Sequence, residues 1–115
     1  MANRVVTEIT EQNFNDEVLK SDLLVFTCFT AHWCHSCYPT CLIANELAER
    51  YRGKIKFVKV DTEKSPEISA RYRVRALPAI IIFQDSQMVK MLPGYQEKAS
   101  LGDLLDALVA GSELA

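Results

Sequence analysis

Hydrophobic positions along the chain follow two periods, and the alternation between them sets out an order of elements. Val5 to Ile9 is short and rich in β-branched residues, which predicts a strand, and Thr10 then offers an N-cap to a short helix carrying Phe14, Val18 and Leu19. Ser21 and Asp22 break that helix. Leu23 to Thr30 is almost continuously apolar, the pattern of a central strand buried on both faces, so helices must cover both sides of the sheet. From Cys34 to about Arg52 the period turns helical. Leu42, Ile43, Leu47, Ala48 and Tyr51 form one apolar face, and Gly53 stands where a left-handed cap is wanted. Pro39 falls inside this segment and predicts a kink, with the first turn angled away from the rest.

Ile55 to Val60 reads as the next strand, and the polar stretch Asp61 to Pro66 leads into a short helix around Glu67 to Tyr72. Ile80 to Phe83 forms another buried strand, Asp85 and Ser86 a turn, and Met88 to Leu92 pairs back as a hairpin, after which Pro93 and Gly94 punctuate. Leu101, Leu104, Leu105, Leu108 and Val109 keep helical register over roughly Lys98 to Val109. The predicted architecture is α/β: a three-layer α/β/α sandwich, parallel strands first and an antiparallel hairpin last, hence a mixed central sheet.

At 115 residues, 49% hydrophobic and 24% charged, the chain suits one domain spanning 1–115 with one core. A net charge of -2, with both signs spread along the sequence, provides no basic stripe for nucleic acid and no polybasic helix for a membrane surface. Met1 to Thr10 lacks the apolar centre of a signal peptide and no apolar run reaches bilayer length, so the expectation is a cytoplasmic monomer without a membrane anchor.

The four cysteines all fall between Cys28 and Cys41, which argues for a site and against a disulfide framework. Ala31-His32-Trp33-Cys34-His35-Ser36-Cys37 follows the central strand and opens a helix, and in such sheets chemistry belongs at the C-terminal ends of strands. Two cysteines separated by two residues can reach each other. At a helix start, backbone N–H groups and the macrodipole favour an anion, so Cys34 should be largely thiolate near neutrality. The same cysteines, with His32 and His35 between and before them, also have the makings of a zinc, copper or iron-sulfur half-site.

Taken together, the residues resemble the thioredoxin family. The matching stretches are Val25 onward through Trp33-Cys34-x-x-Cys37, then Val58-Lys59-Val60-Asp61, Pro66, Arg75-Ala76-Leu77-Pro78, the strand Ala79 to Phe83, and Gly94, in family order over nearly the whole chain. The resemblance implies the thioredoxin fold and a thiol-disulfide oxidoreductase without a cofactor or bound metal. Cys34 would be the exposed nucleophile and Cys37 the buried resolving thiol. Trp33 would flank the nucleophile, Pro78 would be a cis proline facing the disulfide, and Leu77 and Gly94 would help form the substrate groove. The implied partners are disulfide-containing protein substrates and an electron donor, either a thioredoxin reductase or a small thiol.

Departures from the family pattern fall at the chemistry. His35-Ser36 stands where a typical member has Gly-Pro, and Cys28 where the family has a buried aspartate, which leaves Lys59 without its usual partner. A protonatable imidazole beside Cys34 stabilises thiolate and predicts a more oxidising disulfide than in a typical thioredoxin. Each residue also has a plain alternative. Cys28 in an apolar strand reads as core, Cys41 as core or half of a second disulfide, and His32 as surface. His35 is balanced between surface and tuning, and Trp33 could be a core aromatic. Besides the oxidoreductase, two other classes remain open at this point: the metal or cluster protein, and a redox-inert adaptor that uses the Trp33 and Leu77 groove only for binding.

Overall fold

The computed structural model describes residues 6–114. Its five strands are β1 (Val6–Ile9), β2 (Leu24–Thr30), β3 (Ile55–Asp61), β4 (Ala79–Gln84) and β5 (Gln87–Pro93). They form one mixed sheet in the order β1-β3-β2-β4-β5. β3 runs parallel to β1 and β2, whereas β4 is antiparallel to both β2 and β5. The helices are α1 (Cys37–Arg50), α2 (Pro66–Arg71) and α3 (Lys98–Leu114). Of the first predicted strand, Val5 lies outside the described residues.

β2 takes the centre because its sequence has no polar face. Leu24, Phe26 and Cys28 point to the side covered by α1 and α3, where they meet Leu47 and Leu105. Val25 and Phe29 point to the other side, against Phe14, Val18 and Ile68. Phe26 stacks on Phe57 of β3 with ring centroids 4.7 Å apart. On the α1 side, the Tyr51 hydroxyl donates to Asp106 Oδ1 (2.5 Å) and lies 3.1 Å from Gly102 O, pinning the end of α1 to α3. Burial, then the Asp106 carboxylate, pushes this phenol up to about 12.

Three local outcomes differ from the sequence expectation or sharpen it. The first helix is a five-residue π-type turn, Asn15–Leu19, in which Lys20 N reaches back to Asn15 O at 3.0 Å; Thr10 caps the approach through its carbonyl, which accepts from Phe14 N at 3.0 Å. The second helix starts at Cys37, three residues later than predicted, and continues unbroken to Arg50. Pro39 is therefore its third residue, where the N–H it lacks would have had no partner within the helix, and the expected kink has no preceding helical turn to bend. The β4–β5 hairpin closes through Asp85 and Ser86, with φ of 53° and 70°, the left-handed pair that a two-residue loop requires.

The Thr27 side chain is fully buried in β2, and its hydroxyl finds no hydrogen-bond partner among the described residues. Thr27→Val keeps the shape and removes an unsatisfied polar atom, so it should stabilise the fold by about 1 kcal/mol. A urea melt should show a higher midpoint at unchanged slope; a lower midpoint would contradict the assignment.

Candidate active site

β2 ends at Thr30 in the middle of the sheet, and its carbonyl accepts from Thr62 N at 2.8 Å, which ties this end to the loop after β3. The next residues wind through successive i to i+3 turns before the α-helix takes over. Cys34 N donates to Ala31 O (3.0 Å), Cys37 N to Cys34 O (3.1 Å) and Tyr38 N to His35 O (3.2 Å). Cys34 thus lies on the turn in front of α1 and Cys37 at its first residue, so the predicted strand-to-helix setting holds although the helix is shorter.

Cys34 and Cys37 are joined as a disulfide with Cα atoms 5.4 Å apart. The two ends differ in access: Cys34 is half-buried, whereas Cys37 is 1% exposed. Ser36 Oγ lies 3.4 Å from Cys34 Sγ, and because a disulfide sulfur has no proton, the serine hydroxyl is the donor. His35 and His32 are both exposed, and His32 Nδ1 sits 2.6 Å from Glu63 Oε1. Trp33 is 56% exposed, which removes the reading of it as a core aromatic; Tyr38, which the sequence did not single out, is 68% exposed beside Cys37.

Across the sheet, Phe29 of β2 pairs with Ala79 of β4, so Pro78 sits one residue further on, next to the strand end that leads to the cysteines. The Leu77–Pro78 peptide is cis, as the family resemblance implied. Pro78 O accepts from Gly94 N at 2.8 Å, which draws Gly94 and the exposed Tyr95 to the same edge. Gly94 has φ of 80°, a conformation that favours glycine.

On the other side of the cysteines a cleft of about 340 Å³ opens, lined by Cys34, Cys37, Tyr38, Cys41, Lys59 and Asp61 among others. Lys59 stands directly opposite Cys28 in the β2–β3 register, on the α1 side of the sheet. Cys28 is 1% exposed, while Cys41 is half-buried one helical turn after Cys37. The sequence treated Cys28 and Cys41 separately, but the fold packs Cys41 against the cluster that holds Cys28, and the two line one small cavity. The Cys28 thiol is held well above its usual range, first by the neighbouring Cys41 and then by burial, with Lys59 opposing. The Cys41 thiol is pulled down to about 6, first by the neighbouring Cys28, with help from Thr30 and Lys59 against burial. Alternation along β2 and the four-residue step from Cys37 were the signals that could have brought the pair together. Lys59 thus acts on two thiols where a carboxylate was expected to be missing.

Among the described residues, no group of three or more His, Cys, Asp or Glu side chains is placed to hold a metal ion. No helix among them is long and apolar enough to cross a membrane.

Comparison with known proteins agrees with this geometry. The thioredoxin family model matches residues 5–107. The chain is 37% identical over 99 residues to thioredoxin 1 of a Nostoc species, covering 86% of this chain and 92% of that protein. It is 34% identical over 102 residues to thioredoxin 1 of Synechococcus elongatus, covering 89% and 95%. To the thioredoxin of Rickettsia felis it is 35% identical over 106 residues, covering 92% and 97%.

Proposed function

The chain belongs to the thioredoxin family and is a thiol-disulfide oxidoreductase; on that premise we propose that it works through Cys34 as nucleophile and Cys37 as resolving thiol, with a disulfide more oxidising than in a typical thioredoxin. The observation that carries the assignment of roles is the unequal access of the two cysteines, one half-buried at a turn and the other closed off at the first residue of α1. A substrate disulfide can approach Cys34 alone. Attack by its thiolate forms a mixed disulfide, and Cys37, held within reach, attacks the Cys34 sulfur and releases the substrate as a dithiol.

Two neighbours of Cys34 support the oxidising tuning. The Ser36 hydroxyl at 3.4 Å can donate to a thiolate, and His35 is the next residue after Cys34. The donated hydrogen bond favours the charged, reduced sulfur over the disulfide. Trp33, Leu77, Pro78 and Gly94 form the substrate groove in this account, with the main chain of Leu77 available for strand addition by an extended segment. Protein disulfides are the substrates, a reductase or small thiol is the donor, and the setting is cytoplasmic.

A pair of assays tests the direction. The dithiol form is offered insulin, and the disulfide form is offered a reduced, unfolded protein with several thiols. The account expects both reactions, with oxidation of the unfolded protein faster than that achieved by a thioredoxin carrying Gly-Pro between its cysteines. Oxidation no faster than that reference contradicts the tuning, and failure of both reactions contradicts the role of the cysteine pair.

A further inference from the structure

We propose that Cys28 and Cys41 form a second dithiol couple inside the domain, one that exchanges electrons with the Cys34–Cys37 disulfide through Cys41. The inference rests on the reading of Cys34 and Cys37 as the working couple and adds a store of two electrons behind it.

Geometry supplies the route. Cys28 lies on the α1 side of β2, and Cys41 of α1 packs against the same buried cluster, so the two cysteines share the interface between the two elements. Behind the cleft lies a small cavity of about 40 Å³, lined by Val6, Cys28, Cys41, Ala44, Asn45 and Lys59. Cys41 and Lys59 line both spaces, so Cys41 is the cysteine that faces Cys28 on one side and the Cys34–Cys37 cleft on the other. Thr30 Oγ1, 4.0 Å from Cys41 Sγ, and the Lys59 charge both favour a thiolate at this position.

The exchange balances within the chain. Cys41 thiolate attacks Cys37 Sγ; the Cys34–Cys37 bond breaks, a Cys37–Cys41 bond forms, and Cys34 leaves as thiolate. Cys28 then attacks Cys41 Sγ; the Cys37–Cys41 bond breaks, a Cys28–Cys41 bond forms, and Cys37 leaves with the proton that Cys28 gave up. Two electrons have moved from Cys28 and Cys41 to Cys34 and Cys37. A fully reduced chain can therefore serve two substrate disulfides before it needs its donor.

The test counts equivalents. Fully reduced protein, freed of reductant under anaerobic conditions, is mixed with excess insulin, quenched with acid, alkylated in denaturant and mapped by mass spectrometry. The expected result is two substrate disulfides reduced per chain, with Cys28 and Cys41 recovered as one linked peptide. Cys41→Ser should halve the yield to one, and so should Cys28→Ala, a second variant in case the first is poorly folded. One disulfide reduced per wild-type chain, with Cys28 and Cys41 both alkylated, overturns the proposal. No reduction at all overturns the working couple beneath it, and with it the store. Formation of the Cys28–Cys41 link at the wild-type rate in Cys34→Ser overturns the internal route.

Discussion

Cys34→Ser should lower insulin reduction by roughly a thousandfold or more, the scale of loss seen when a catalytic nucleophile is removed. The expectation follows from access and not from the motif alone. Cys37 is 1% exposed and locked at the first residue of α1, so no insulin disulfide can approach it in line. Cys41 also lines the cleft, but it is half-buried and one helical turn further along α1 from Cys34. A serine hydroxyl at position 34 is far less acidic than a thiol and forms no mixed disulfide. The measurement is initial-rate insulin reduction with each protein fully reduced beforehand, together with a melting curve to establish that the variant is folded. Activity retained in a folded Cys34→Ser protein would remove Cys34 from the mechanism.

Cys37→Ser should instead stop the reaction halfway. Cys34 keeps its exposure and its Ser36 neighbour, so the first attack proceeds, but the thiol that resolves the mixed disulfide is gone. The expected product is a near-stoichiometric covalent adduct between chain and substrate, visible as a summed mass under non-reducing conditions and dissolved by excess dithiol. The contrast between the two variants separates the roles: one fails to capture substrate, the other captures and holds it. An adduct formed by Cys34→Ser and absent from Cys37→Ser would reverse the assignment.

Much of this site was legible in the sequence because its parts are local or periodic. β2 declared itself through an unbroken apolar run, and the cysteine motif that follows it had to stand at a strand end. The Asp85-Ser86 turn lies between two apolar runs at hairpin spacing, and the family resemblance alone implied the cis bond at Pro78. Helix boundaries were less legible. Pro39 reads as a breaker when the helix is drawn from Cys34, whereas at the third position of a helix starting from Cys37 it is harmless. The pairing of Cys28 with Cys41 was harder to read: alternation along β2 and the four-residue step from Cys37 turn each cysteine inward, but where α1 crosses the sheet decides that they share one cavity. Lys59 shows the same limit, since its position opposite Cys28 follows from strand register and its action on Cys41 from helix packing.

The proposed tuning starts from the Ser36 hydroxyl beside Cys34 Sγ, since every interaction that favours the thiolate weakens the disulfide. For a two-electron couple about 30 mV corresponds to roughly 1.4 kcal/mol, so even one charge-assisted hydrogen bond is enough to register. Equilibration of the wild-type protein across glutathione buffers of graded poise, with acid quench and site-resolved alkylation of Cys34 and Cys37, reads that balance directly. The account predicts reversible two-electron behaviour of this pair with a midpoint clearly less negative than the roughly -270 mV of thioredoxin. A midpoint at or below that value, or a pair that fails to equilibrate, would contradict it.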